Sequence, residues 1–232
     1  MSITIRSAQT IQGGVTLQGS IDPSIILWLD ADNTRSYPGT GTTWYDLSSN
    51  HYDATLYNGA NFVNGNAINF DYTQGQYAAL APNSMLGGDM TAIGWVYVRS
   101  YQSWSRLFDF GNGAGSQNVI LAVSDGTTGT PVYSIGNNLN GNTTVPLNQW
   151  VQLVGIQNGF DGYLFMNGQQ IGVLPSNGSI PNVIRNYNYI GRSNWGSDAY
   201  LDGKISYLKI YNRVLSPAEI TLDYNAMIAR LG

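Results

Sequence analysis

The stretch Asn148-Gln149-Trp150-Val151-Gln152-Leu153-Val154-Gly155-Ile156-Gln157-Asn158-Gly159-Phe160-Asp161-Gly162-Tyr163-Leu164-Phe165-Met166-Asn167-Gly168 holds two apolar runs of strand length, each followed by an Asn-Gly pair. Asn and Gly both tolerate the positive backbone angles of a tight hairpin turn, so the pattern predicts two consecutive hairpins. Trp150–Ile156 and Gly162–Met166 are the first two strands, and the third runs through Gln170-Ile171-Gly172-Val173.

The same grammar extends in both directions. Upstream, strand-length apolar runs occur at Ile25–Leu29, Ala67–Phe70, Tyr77–Leu80 and Thr91–Val98, then at Arg106–Phe110, Asn118–Val123 and Pro131–Ile135. Downstream, Tyr200 to Tyr211 reads as the last long strand. One helix is predicted, after Ser216. That residue is a good N-cap, Pro217 suits the first helical position, and Glu219 completes a capping box ahead of Ile220, Tyr224 and Met227 or Ile228 at helical spacing. Many short strands, Gly/Asn turns and a single terminal helix predict an all-β, two-sheet antiparallel sandwich. Residues 1–20 are set apart: Gln9–Gly14 and Val15–Ser20 repeat a short apolar-polar-Gly unit too small to bury both faces. They are read as an extended arm, with the sandwich over 21–232.

Composition removes several functions. Only 10% of the 232 residues are charged, the net charge is −4, and the ten Lys and Arg are scattered, so nothing forms the basic stripe that nucleic acid requires. No apolar run of about 18 residues is present to span a bilayer. The N-terminus lacks a signal peptide pattern, which leaves a virion surface or an extracellular destination as the expectation. Without Cys, disulfides and thiol nucleophiles are absent. His51 is the single His and lies in the polar stretch Asn50-His51-Tyr52-Asp53, where an exposed imidazole is the expectation rather than a catalytic base.

The ordered motifs resemble those of the laminin-G-like jelly-roll domains of the concanavalin A-like lectin/glucanase superfamily. Asn148–Val154 is similar to the family's W-x-hydrophobic strand, and Gly162–Gly168 to its Y-x-N-G hairpin. Tyr189-Ile190-Gly191-Arg192 with Leu201–Ile205 resembles I-G-R … F-x-G-x-I, and Ile210–Ile220 its I-Y-N-R-x-L-S-x-x-E-I ending. Trp44–Asn50 and Met90–Val96 add the first half in the right order. The resemblance implies a jelly-roll sandwich and a non-catalytic carbohydrate-binding or adhesion module; Trp95 and Trp150 lie inside apolar strands and are read as sandwich core. Related glucanases carry an E-x-D-x-x-E strand with paired carboxylates. Here Glu219, the single Glu, stands at a helix start.

Shallow sugar sites need aromatic faces beside amides, carboxylates or guanidinium groups. Tyr101 and Trp104 in one loop, and Arg192, Asn194, Trp195 and Asp198 in another, meet that description. Trp104 and Trp195 either stack on a ligand or pack over the sandwich end or a subunit contact. The family's structural calcium site is in doubt because Ser206 and Tyr207 stand where acidic residues are common. The oxygen-rich candidates left for Ca2+ are Asp30, Asp32, Asp198 and Asp202. The expected partners are glycans. An alternative reading makes the chain a virion decoration or fibre protein that assembles, as a homo-oligomer or with other virion proteins, through residues 1–20.

Overall fold

In a computed structural model, which describes residues 22–231, both hairpins of the deciding stretch form. Strands β1 (Ile25–Asp30), β2 (Thr43–Trp44), β3 (Ala54–Tyr57), β4 (Asn61–Val63), β5 (Ala67–Phe70), β6 (Tyr77–Leu80), β7 (Met90–Val98) and β8 (Arg106–Gly111) make the first half. Then follow β9 (Val119–Ala122), β10 (Val132–Ser134), β11 (Asn138–Asn140), β12 (Trp150–Asn158), β13 (Asp161–Met166), β14 (Gln169–Leu174), β15 (Tyr187–Ile190), β16 (Gly203–Tyr211) and one helix, α1 (Pro217–Leu231). The arm expected over residues 1–20, and the assembly roles attached to it, lie outside the described residues.

The second hairpin turn places Asn167 and Gly168 at φ 51° and 77°, the double left-handed geometry expected of Asn-Gly. The first is shifted by one residue. Asn158 still pairs with Asp161, so Gly159 at φ 57° takes the first turn position and Phe160 the second.

Every strand pairing is antiparallel. Eight strands form one sheet in the order β14-β13-β12-β7-β16-β5-β4, with β1 also on β16; the other eight run β11-β10-β9-β8-β15-β6-β3-β2. The two sheets face each other across a core that includes Leu29, Trp44, Phe70, Val96, Phe108, Phe110, Tyr133 and Leu164. This is the jelly-roll-like sandwich that the motifs imply. Gly155 of β12 lets the Tyr133 ring of β10 cross from the opposite sheet, since a Cβ there would meet its Cδ2 at 2.5 Å.

Trp95 and Trp150 are not in that core. Their side chains point away from the second sheet, and the fifteen-residue helix lies over Trp95. Ile220, Met227 and Leu231 close a separate apolar seam with Trp95, Val154 and Phe165, and Tyr224 stacks on Trp95 at 5.7 Å. Trp150 stays half-buried, edge-on to Tyr97. Strand alternation explains the difference: an unbroken apolar run means both faces are covered, not that both face the other sheet.

The capping box closes as expected. The Ser216 backbone N–H and hydroxyl both donate to Glu219, and the Glu219 N–H donates to Ser216 Oγ at 3.3 Å. The Ser216 N–H, then its hydroxyl and Arg213, hold the Glu219 carboxyl below its ordinary pKa. The lowered value means this stabilisation is complete above the unfolded pKa and is lost as pH falls through the folded one. Glu219→Ala is expected to cost about 1 kcal/mol at neutral pH, and the gap to the native melting temperature should close as pH drops through the carboxylate range. An unchanged gap at low pH would contradict the cap.

The helix covers the outside of the first sheet. No element among the described residues covers the outside of the second, and Trp104, Trp195 and Asp198 lie there.

Candidate functional site

The exposed face of the second sheet is built by alternation. In β9, Val119 and Leu121 enter the core while Ile120 and Ala122 point out; in β10, Tyr133 enters and Val132 and Ser134 point out. A bulge in β8 between Arg106 and Phe108 shifts this register, so Arg106 and Asp109 both end on the outer face. Ile120, Ala122 and Val132 form an apolar floor against which Trp104 and Trp195 pack.

Above the floor lies a cleft of about 410 Å³, with Trp104, Arg106, Asn118, Ser134, Asn138, Trp195 and Asp198 among its lining residues. The Arg106 guanidinium sits between the two indoles, 5.3 Å from the Trp104 ring centre and 5.6 Å from that of Trp195. It donates to Asp198 at 2.9 Å and lies 3.7 Å from Asp109. Burial pulls the Arg106 pKa down, and the two carboxylates oppose that.

Asp109 is fully buried and anchors the cleft from below. It accepts from the Asn118 amide at 2.8 Å, from the Asn194 backbone at 2.9 Å and from the Asn194 amide at 2.9 Å. Burial still raises its pKa, outweighing those hydrogen bonds and Arg106. With both oxygens engaged, it is a strut and offers no free carboxylate to a substrate. Asn118 spends its amide on Asp109, which leaves its buried Oδ1 without a partner on the cleft wall.

The loops are fixed to match. Trp104 has φ 54°, a backbone region unfavourable for a bulky side chain, and its N–H donates to Gly126 O at 2.9 Å. Ser193 donates to Asp198 at 2.8 Å and accepts from the Trp195 N–H at 3.0 Å, while the Ala199 N–H reaches Ser103 O at 2.8 Å. That last bond joins the two aromatic loops.

Of the six ligand-binding candidates, Trp104, Trp195 and Asp198 thus share one cleft. Asn194 lies beneath it, orienting Asp109. Tyr101 is turned inward, its hydroxyl donating to Val145 O, and packs on the core. Arg192 stands apart among tyrosines on the same sheet face. Arg106, Asn118, Ile120 and Val132 were missed; the sequence signal was a charged residue heading an otherwise apolar strand, two positions after Trp104.

The four carboxylates named for calcium are divided among three places. Asp30 and Asp32 both bind Arg230 of the helix, with Nε–Asp32 at 2.8 Å; Asp202 binds Arg99 at 2.8 Å; Asp198 binds Arg106. No three His, Cys, Asp or Glu side chains gather among the described residues, and the four named carboxylates do not converge on one point. His51 is exposed in a turn at φ 55°. No helix among the described residues is long and apolar enough to cross a membrane.

A two-sheet antiparallel sandwich, capped by a helix on one face and bearing an aromatic cleft on the other, has the architecture of lectin-type β-domains. The chain belongs to the concanavalin A-like lectin/glucanases superfamily, whose laminin G profile matches residues 71–221. Among solved structures, it is similar to domain 4 of the extracellular arabinanase AbnA from Geobacillus stearothermophilus, solved in complex with arabinotriose. Identity is 17% and the TM-score 0.67, over 87% of this chain and 98% of that one. Trypanosoma rangeli sialidase matches at 16% identity and TM-score 0.65 over 90% of this chain, which spans 33% of the sialidase. The binding domain of Paraclostridial Mosquitocidal Protein 1 matches at 16% identity and TM-score 0.58, over 88% of this chain and 52% of that one. At these identities the likeness is one of fold. No curated protein matches.

Proposed function

We propose that the chain is a non-catalytic carbohydrate-binding module whose ligand lies in the Trp104–Trp195 cleft. The observation that carries this reading is the Trp104–Arg106–Trp195 clamp over an apolar floor, walled by Asn118, Ser134 and Asn138. Indole faces stack on the C–H faces of a pyranose or furanose ring, while amides, a hydroxyl and Asp198 bond its hydroxyls. The arabinotriose held by the similar arabinanase domain supports a sugar ligand.

Two further observations favour binding over hydrolysis. The acidic pair nearest the cleft, Asp109 and Asp198, is tied to the one guanidinium between them, at 3.7 Å and 2.9 Å. Asp109 also has no exposed surface, so it cannot reach a glycosidic oxygen. The reading uses no cation.

The test is a glycan array probed with the chain in calcium and again in EDTA, beside Trp195→Ala. A defined glycan family should bind in both conditions, and Trp195→Ala should weaken it about five-fold or more (the ~1–3 kcal/mol of an aromatic stacking contact). Binding that survives Trp195→Ala unchanged would place the ligand elsewhere.

A further inference from the structure

Beside the cleft, the same sheet face carries a second cluster. Tyr57 and Tyr77 stack at 4.7 Å, Tyr189 meets Tyr77 edge-on at 5.7 Å, and Tyr187 stacks on Tyr189 at 6.3 Å. Arg192 lies over these rings, 4.3 Å from Tyr189, 4.8 Å from Tyr77 and 5.9 Å from Tyr200. Tyr57 and Tyr187 are 41% and 48% exposed, so the cluster is open to solvent.

The Arg192 guanidinium differs from the other buried or half-buried ones. Arg99, Arg106 and Arg230 each hold a carboxylate, and Arg185 donates to backbone carbonyls of Gln117, Leu86 and Pro181. Arg192 makes no hydrogen bond or ion pair among the described residues. Three tyrosine rings surround its Cζ, and none of its N–H groups is paired among the described residues. A rigid fork of donors beside aromatic faces matches two oxygens of one anionic group better than it matches scattered hydroxyls. In a chain of net charge −4, a single unpaired cation on an open aromatic face is a local device rather than a general attraction for polyanions.

The cluster is continuous with the cleft. It occupies β15, β6 and β3, directly next to β8 in the sheet. Asn194 joins the two: its amide donates both to Asp109 under the cleft and to Tyr187 O at 3.2 Å. From β10 to β3 is five strand steps, about 24 Å at the usual spacing, which is more than one sugar ring covers.

We propose that the Arg192–tyrosine cluster is a second subsite that receives a carboxylate- or sulfate-bearing unit of the oligosaccharide whose neighbouring unit fills the cleft. The ligand class is therefore an acidic oligosaccharide lying across the strands. This rests on the cleft being a sugar site.

The test is an array holding neutral, uronic-acid, sialylated and sulfated glycans, followed by calorimetry on the strongest acidic hit and its neutral parent. Wild-type protein, Arg192→Gln, Tyr187→Ala and Trp195→Ala are compared. The acidic glycan should bind at least ten-fold more tightly than its parent, and Arg192→Gln should erase that preference while leaving the neutral affinity unchanged and the chain folded. Tyr187→Ala should weaken the acidic ligand without unfolding the chain. Carboxylated and sulfated members of the array separate the two anionic groups. The subsite is overturned if hits are confined to neutral glycans, if nothing binds, or if Arg192→Gln keeps the preference. Loss of the acidic ligand in Arg192→Gln with no change in Trp195→Ala would retain the cluster as a site and reject the cleft. The reverse pattern would reject the cluster and retain the cleft.

Discussion

Arg106→Ala should lower the unfolding free energy by about 3–5 kcal/mol, the usual consequence of removing one partner from a buried ion pair. Three things fail together. Asp109, buried beneath the sheet face, loses its cation; Asp198 loses the donor that holds it at 2.9 Å; and the two indoles lose the plane that keeps them apart. Urea unfolding measures the first effect and glycan titration the last. Adding Asp109→Asn to Arg106→Leu removes the stranded charge but keeps an acceptor for Asn118 and Asn194. It should therefore recover part of the stability without restoring binding, the rest being lost because the Asn194 N–H, which donates to the other carboxylate oxygen at 2.9 Å, would face an amide nitrogen. A single Arg106→Ala variant that unfolds at the wild-type urea midpoint would show that the cluster is not electrostatically coupled.

Asp223→Ala should cost about 3 kcal/mol, because buried donors left without an acceptor lose roughly 1–3 kcal/mol each. On α1, Asp223 accepts from Gln152 at 2.8 Å, from the Trp95 indole at 3.2 Å and from the Tyr207 hydroxyl at 3.3 Å. It is the polar pin of an otherwise apolar seam. The loss should appear as a lower denaturation midpoint and faster amide exchange in the helix, while glycan affinity stays at the wild-type level. The helix and the cleft lie on opposite outer faces of the sandwich, so a fall in affinity would contradict that separation.

Much of the sandwich was legible because strand runs and turn residues are local signals. Ala67–Phe70 and Tyr77–Leu80 match the structure residue for residue, and Ser216-Pro217-Ala218-Glu219 marked the helix start. Strands β2 and β11 were not legible: two and three residues long, they hold their place only by pairing with β3 and β10. The site was half legible. Aromatic loops flagged Trp104 and Trp195, since large rings in polar turns are unusual. Tyr101 carried the same signal and turned inward, because nothing local distinguishes a ring that faces solvent from one that caps Val145 O. The calcium candidates show the same limit. Asp30 and Asp32 are neighbours in sequence, but the guanidinium that faces them is 200 positions away for Asp30.

The alternation in β9, β10 and β11 divides two jobs between neighbouring residues. Val119, Leu121, Tyr133 and Leu139 hold the sheets together, whereas Ile120, Ala122, Val132, Ser134 and Asn138 face outward. Selection can thus rewrite the outward set without disturbing the inward one. The strands behave as a keyboard on which every second key reshapes the cleft and the keys between carry the frame. A lineage with this fold can diversify its ligands at little risk to folding.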